Sequence, residues 1–184
     1  MFTIKSIPKV HNLTIALVGD TGVGKTALMK QLTADKFTVK HVPSEIGAYY
    51  ALYIDSNYGV VLFNVYEYNS IVDLPQKMDK FDGALVMFSV NDSDTFASVP
   101  GNCAYFDIEC IYTVLAGNKT DIECQEVSQR MVQNGLSSWN LGKGYRKDIQ
   151  NIEYHGISAK NMDNAKKPFL TLAQFFIKKD LQFI

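Results

Sequence analysis

A chain of 184 residues, 47% hydrophobic and 20% charged, has the length and balance of one globular domain with a sizeable core. Its formal net charge of −1 supplies no bulk attraction to nucleic acid or to an anionic membrane, so neither is expected as a partner.

In chain order, residues 13–18 (LTIALV) form a short apolar run ending at a glycine, the pattern of a buried strand. A loop at 19–24 follows, then a helical stretch from Lys25 to about Leu32. Residues 34–47, which lack clean periodicity and contain Pro43, read as loop. The runs 48–55 and 60–66 are rich in β-branched and aromatic residues, and the turn signal Ser56-Asn57-Tyr58-Gly59 between them predicts a hairpin. Residues 67–82 are polar and irregular. Buried strands are predicted at 84–90 and 111–116; a helix between them, over 94–108, is expected to be interrupted by Pro100 and Gly101. A helix is predicted over 123–132, an insertion or long loop over 134–148, and a last strand over 152–157. The final segment places Ala165, Phe169, Leu172, Ala173, Phe176 and Ile177 at helical spacing, with Asp163 or Asn164 near the cap and Pro168 in the first turns. Strands alternating with helices indicate an α/β fold with a mostly parallel sheet, in a single domain spanning 1–184.

Residues 19–26 read GDTGVGKT and satisfy G-x-x-x-x-G-K-[ST] between an apolar strand and a helix, the context this motif requires. Gly19, Gly22 and Gly24 let the backbone curl so that successive N–H groups face a pyrophosphate. The expected phosphate contacts run through Asp20, Thr21, Gly22, Val23, Gly24, Lys25, Thr26 and Ala27. Lys25 places a cation on the β and γ oxygens, Thr26 offers a hydroxyl to Mg²⁺, and the helix adds its positive dipole end.

A phosphate loop does not choose between ATP and GTP. Asn118-Lys119-Thr120-Asp121 and Ile157-Ser158-Ala159-Lys160 each follow an apolar strand, at the carboxyl edge where open α/β sheets bind ligands. Asp121 is able to accept both hydrogens that guanine presents at N1 and N2, a donor pair adenine lacks. GDTGVGKT, NKTD and ISAK, in this order, resemble the motifs of Ras-like small GTPases, over most of the chain from about Leu13 to Ile177. Phe63-Asn64-Val65, Val99-Pro100, GNKTD and KKPFLTLA bring the resemblance closest to the Ran branch. It implies a small-GTPase P-loop fold: a mostly parallel six-stranded sheet with one antiparallel strand and helices on both faces. It also implies GTP or GDP with Mg²⁺, a monomer, and protein effectors or regulators. By the same resemblance Asn118 and Asp121 contact guanine, the stem of Lys119 packs over the base, and the Ala159 N–H meets guanine O6, supported by Ser158 and Lys160.

The resemblance breaks where the family carries DxxGQ. Aligned through Phe63-Asn64-Val65, this chain has Glu67-Tyr68-Asn69-Ser70-Ile71, so Glu67 replaces the Asp, Ser70 the Gly and Ile71 the Gln. Glu67 is a candidate for the metal's water shell, whereas Ile71 has no group with which to orient water. Lys25 is then the one assignable catalytic group, and no water-orienting residue is assigned. In the loop after the first helix, Ser44 or Glu45 stands near the family's metal-closing Thr. The acidic tail that ends Ran is missing, and 141–148 belongs to an inserted stretch, so nuclear transport is not carried over.

Cys103, Cys110 and Cys124 lack CxxC spacing and read as free thiols of a reducing compartment. The start lacks the apolar core of a secretory signal, no apolar run nears the ~18–20 residues of a membrane span, and the terminal region has no cysteine for prenylation. An intracellular location is expected, cytoplasmic with the nucleus also open, and no lipid anchor. His11, His41 and His155 share no ligand motif, Trp139 reads as packing, and Lys166, Lys167, Lys178 and Lys179 as a solvated helix face. The expected function is a guanine-nucleotide switch with slow hydrolysis. The alternatives are a pseudo-GTPase interaction module and, more remotely, an ATP-using P-loop kinase.

Overall fold

The structure, a computed structural model, describes residues 9–34, 48–76, 80–139 and 152–184. Strands β1 (Val10–Val18), β2 (Ala48–Ser56), β3 (Gly59–Tyr68), β4 (Gly83–Ser89), β5 (Tyr112–Asn118) and β6 (Glu153–Gly156) form one six-stranded sheet. Its order is β2-β3-β1-β4-β5-β6, with β2 antiparallel to β3 and every other pair parallel. Helices α1 (Lys25–Ala34), α2 (Ser93–Ala97), α3 (Val99–Ile108), α4 (Gln129–Ser138) and α5 (Lys167–Phe176) surround it. The expected α/β architecture with one antiparallel strand is the one observed.

The period of two along β1 explains why both faces are covered. Leu13, Ile15 and Leu17 join an apolar cluster with Leu28 and Met29 of α1 and Phe169 and Leu172 of α5. Ala16 and Val18 point the other way, into a cluster with Val99, Cys103 and Phe106 of α3 and Val132 of α4. β1 therefore lies at the centre of the molecule, flanked by β3 and β4, and the chain reverses its direction of travel across the sheet beside it. Such a reversal opens a crevice at the carboxyl end of the strand, where the loop 19–24 begins.

Several local expectations shift. β1 starts three residues earlier than its apolar run, because Val10 to Asn12 pair with Val60 to Leu62 of β3 even though they are not buried. The hairpin forms as expected, with Ser56 opposite Gly59, but β3 continues through Glu67 and Tyr68 rather than ending at 66. The helix expected over 94–108 is interrupted, as expected, but at Ser98, two residues before Pro100. Pro100 sits in the first turn of α3, where its missing N–H has no intrahelical partner to lose. α2 precedes α3 as a separate short helix capped by Asp92, whose carboxylate accepts from the N–H groups of Asp94 and Thr95. The helix expected over 123–132 is α4, displaced toward the carboxyl end. Val127 donates its N–H to Val90 O at 2.9 Å, which holds the preceding segment against the end of β4. Ser128 then caps the helix through Met131 N. Residues 134–138, expected as loop, are thereby helical, whereas 141–148 lie outside the described residues. α5 begins after Lys166, not at Asp163 or Asn164, with Pro168 in its first turn as expected.

The chain end closes the far side of the hairpin. Leu181 is fully buried, Phe183 bridges Ser56 of β2, and Tyr58 donates to the Asp180 carboxylate at 2.5 Å. Cys103, Cys110 and Cys124 are all free thiols. Among the described residues no helix is long and apolar enough to cross a membrane, and no cluster of His, Cys, Asp and Glu has the makings of a metal site.

The cluster shared by β1, β3 and α5 turns on Phe169, fully buried and edge-on to Phe63 with ring centroids 5.2 Å apart. Phe169→Ala is expected to cost about 3–5 kcal/mol in urea unfolding, from lost apolar contact plus the cavity left behind.

Candidate functional site

The loop between β1 and α1 owes its shape to two glycines. A Cβ on Gly19 would run into the Met87 carbonyl of β4, and a Cβ on Gly24 would strike the Asn118 carboxamide. Gly24 also has φ +99°, a region that side-chain-bearing residues rarely adopt. Beyond it α1 begins at Lys25, so the N–H groups of Lys25, Thr26 and Ala27 fall in a first turn where helices provide no acceptor of their own. Thr21 and Gly22 are exposed at the loop's outer edge, and Val23 is buried beneath it.

Lys25 is 3% exposed. Its ammonium donates to Gly19 O at 2.7 Å, Asp20 O at 3.0 Å and Asn69 Oδ1 at 3.1 Å, which engages all three of its hydrogens. Burial lowers its pKa below the ordinary lysine value, opposed by the negative charges of Glu67 and Asp20. Asp20 is itself anchored: its Oδ2 accepts from Ser98 Oγ at 2.9 Å, which ties the loop to the junction of α2 and α3.

Glu67 lies opposite Leu17 in the β1–β3 pairing, which carries it to the base of α1. Thr26 Oγ1 donates to Glu67 Oε1 at 2.6 Å, and the Tyr50 hydroxyl donates to Oε2 at 3.0 Å. Burial, with Glu67 adding to it, pushes the Tyr50 pKa up to about 12, so the phenol keeps its proton and remains a donor. Thr26 and Glu67 thus present neighbouring hard oxygen donors, a set that fits a hard divalent cation such as Mg²⁺. Ser44 and Glu45, the other candidates for that role, lie outside the described residues.

After Asn69 the chain forms one short turn. Ser70 uses its hydroxyl to cap a single 3-10 turn (Ile71–Asp73), accepting from Val72 N. Ile71 packs against the apolar cluster on the α3 side of the sheet.

At the carboxyl ends of β5 and β6 one side chain joins three segments. Asn118, 2% exposed, donates through Nδ2 to Val23 O at 2.8 Å and accepts through Oδ1 from Ala159 N at 2.9 Å. The Ala159 N–H, expected to face a purine carbonyl, is therefore engaged by Asn118 in this structure. Ser158, fully buried, donates to Asp121 Oδ1 at 2.7 Å and accepts from Asn161 N at 3.1 Å. That hydrogen bond, ahead of the nearby Lys160 ammonium, holds the Asp121 pKa below the usual carboxylate range. Lys119 takes φ +70°, a left-handed kink directly after β5.

The end of the loop after β1, the first turns of α1 and the segments after β5 and β6 border a cleft of about 740 Å³, within the range of small-molecule sites. Gly24 and Ala27 line one side and Asn118, Lys119, Asp121, Ala159 and Lys160 the other. Three contributors carried no sequence signal: Tyr50, Asn69 and Ser98. They reach the site across 17, 44 and 78 residues respectively, measured to the partners they touch.

Asn118→Ala would strand the Val23 carbonyl and the Ala159 N–H in a buried position. A loss of about 2–4 kcal/mol is expected in denaturant unfolding with no nucleotide added, at one to two unsatisfied buried groups' worth.

A model of the Ras family matches residues 14–178, a span that contains the loop of Lys25, the Glu67 strand end and both segments of the cleft wall. The match covers nearly all of the chain, and the mostly parallel six-stranded sheet with its one antiparallel pair is consistent with it. The chain belongs to the Ras family of small GTP-binding proteins.

Proposed function

We propose that this chain is a Ran-like guanine-nucleotide switch that holds GTP or GDP in the cleft and hydrolyses GTP slowly. The observation that carries this reading is an asymmetry. The groups suited to base and diphosphate are mutually braced, whereas the position suited to orienting water is an isoleucine half-buried against the apolar cluster.

In this reading the N–H groups from Asp20 to Ala27 wrap the phosphates, with Lys25 over the β and γ oxygens. Asp121, kept ionised by Ser158, accepts from guanine N1 and N2, while Asn118 aligns the walls and Lys119 covers the base. Thr26 and Glu67 would hold Mg²⁺, which would supply charge neutralisation to the phosphates. Water attacks the γ-phosphorus in line, the bond to the β–γ bridging oxygen breaks, and GDP and phosphate result. Lys25 stabilises the charge gathering on the leaving oxygen. With an isoleucine at the position suited to orienting the water, turnover is expected at or below the family's intrinsic rate of about 10⁻⁴ s⁻¹. Effector and regulator proteins that read the nucleotide state are proposed as partners, and an intracellular setting suits the three free thiols.

Ile71 also favours a second reading, a pseudo-GTPase that binds nucleotide as a structural element. Single-turnover hydrolysis of radiolabelled GTP separates the two. Slow phosphate release abolished by Lys25→Ala supports the switch, and no release above the buffer rate supports the pseudoenzyme.

Base choice is tested through Asp121. Asp121→Asn is expected to weaken GDP binding at least about 100-fold, because an amide N–H would face guanine's donors. Unchanged GDP affinity, or ATP bound as tightly as GTP by the unaltered chain, would overturn the assignment. Because the Asp121 pKa is depressed, its carboxylate stays ionised throughout the pH range above the ordinary carboxylate value. Asp121 is therefore expected to add no pH dependence to GDP binding there.

A further inference from the structure

We infer that Asn69 selects for the diphosphate: its side chain completes the shell of the Lys25 ammonium when no γ-phosphate is present, and GTP must displace it. The inference rests on the proposal that phosphates bind over Lys25.

An ammonium has three hydrogens, and those of Lys25 meet three acceptors. Two of them, Gly19 O and Asp20 O, belong to the backbone of the loop. The third, Asn69 Oδ1, comes from outside the loop and has the longest contact, 3.1 Å against 2.7 and 3.0 Å. Asn69 is exposed and stands just beyond the last residue of β3, so its side chain has room to swing away. The Lys25 ammonium does not have that freedom, being buried and fixed on both sides.

In the proposed binding mode the β-phosphate is held chiefly by the N–H groups of the loop, which leaves the three acceptors of Lys25 in place. A γ-phosphate oxygen, beyond that ring of amides, needs a hydrogen from Lys25 and takes it from the most easily displaced acceptor. A γ-phosphate extends toward Glu67, two residues before Asn69, and exchanges with the Asn69 amide. GDP therefore leaves the Asn69–Lys25 bond intact, while GTP breaks a hydrogen bond to a buried charge. The departing group is a neutral carboxamide, so GTP binding remains possible and is only disfavoured. In this way a side chain at the strand end makes the diphosphate state the resting one.

The experiment measures GDP and GTP affinities of the full chain by competition against a fluorescent guanine nucleotide, with Mg²⁺ present. Asn69→Ala is expected to raise the ratio of GTP to GDP affinity about tenfold, the scale of one hydrogen bond to a charged group. Asn69→Asp, nearly isosteric, is expected to lower that ratio by a similar factor or more, since a carboxylate grips Lys25 harder and repels a γ-phosphate. Opposite movements of the ratio in the two variants support the inference. Equal changes in both affinities, or a ratio unmoved in both variants, overturn it and mark Asn69 as merely structural. Should Asn69→Ala fail to fold, the Asn69→Asp ratio decides by itself. If the unaltered chain binds neither nucleotide, the site reading fails first and this inference with it.

Discussion

The site depends on the placing of one buried carboxamide. Asn118 ends β5 and is nearly sealed from solvent, with its nitrogen on the Val23 carbonyl and its oxygen on the Ala159 N–H. The loop after β1, the kink after β5 and the loop after β6 are thereby locked to one another without a covalent bond. An amide suits this task because it carries a donor and an acceptor a short distance apart on one rigid plane. An aspartate would lack the donor, and a longer glutamine would not fit between strands already in register. Gly24 follows from the same constraint, since any Cβ there would collide with the Asn118 side chain.

Around this tie the molecule divides into a rigid half and a half made of replaceable contacts. The base-facing wall is over-determined: Ser158 is buried, its hydroxyl both donates and accepts, and it holds Asp121 in its charged form. The opposite end, where a terminal phosphate would lie, relies on side chains that meet across long stretches of chain. Glu67 is gripped by Thr26 and Tyr50, and Lys25 by Asn69. Contacts of this kind exchange readily for ligand oxygens, whereas the backbone-anchored wall does not. A nucleotide switch requires that division of labour, with a fixed grip on the base and diphosphate and adjustable contacts at the third phosphate.

The Ran-like reading accounts for the aligned fragments along the chain, and the degenerate segment after β3 limits how far it extends. Ile71 has been absorbed into the apolar packing beside α3. Ser70 is committed to capping its own turn. What persists there is a carboxylate, Glu67, braced by a tyrosine hydroxyl.

Most of the fold was legible in the sequence, because its signals are local. Apolar runs marked β1, β4 and β5, the Ser56 to Gly59 turn marked the hairpin, and helical spacing marked α5. The errors lay where a contact from elsewhere decided the outcome. Val90 pulled the start of α4 past residue 123, and the fresh helix start after Ser98 turned Pro100 from a breaker into a first-turn residue. The glycines, Lys25, Thr26, Asn118, Asp121 and Ser158 were likewise readable, since each sits at a fixed offset from a strand end and its chemistry follows from that spacing. By itself, then, the sequence determined a mostly parallel α/β fold and the loops that gather at the carboxyl edge of its sheet. Only the tertiary structure decided that Asn118 binds the walls together, that Tyr50 braces Glu67, and that Asn69 reaches Lys25. Those pairings join residues far apart in the chain, and no local pattern encodes the distance between the ends of two strands until the sheet has brought them side by side.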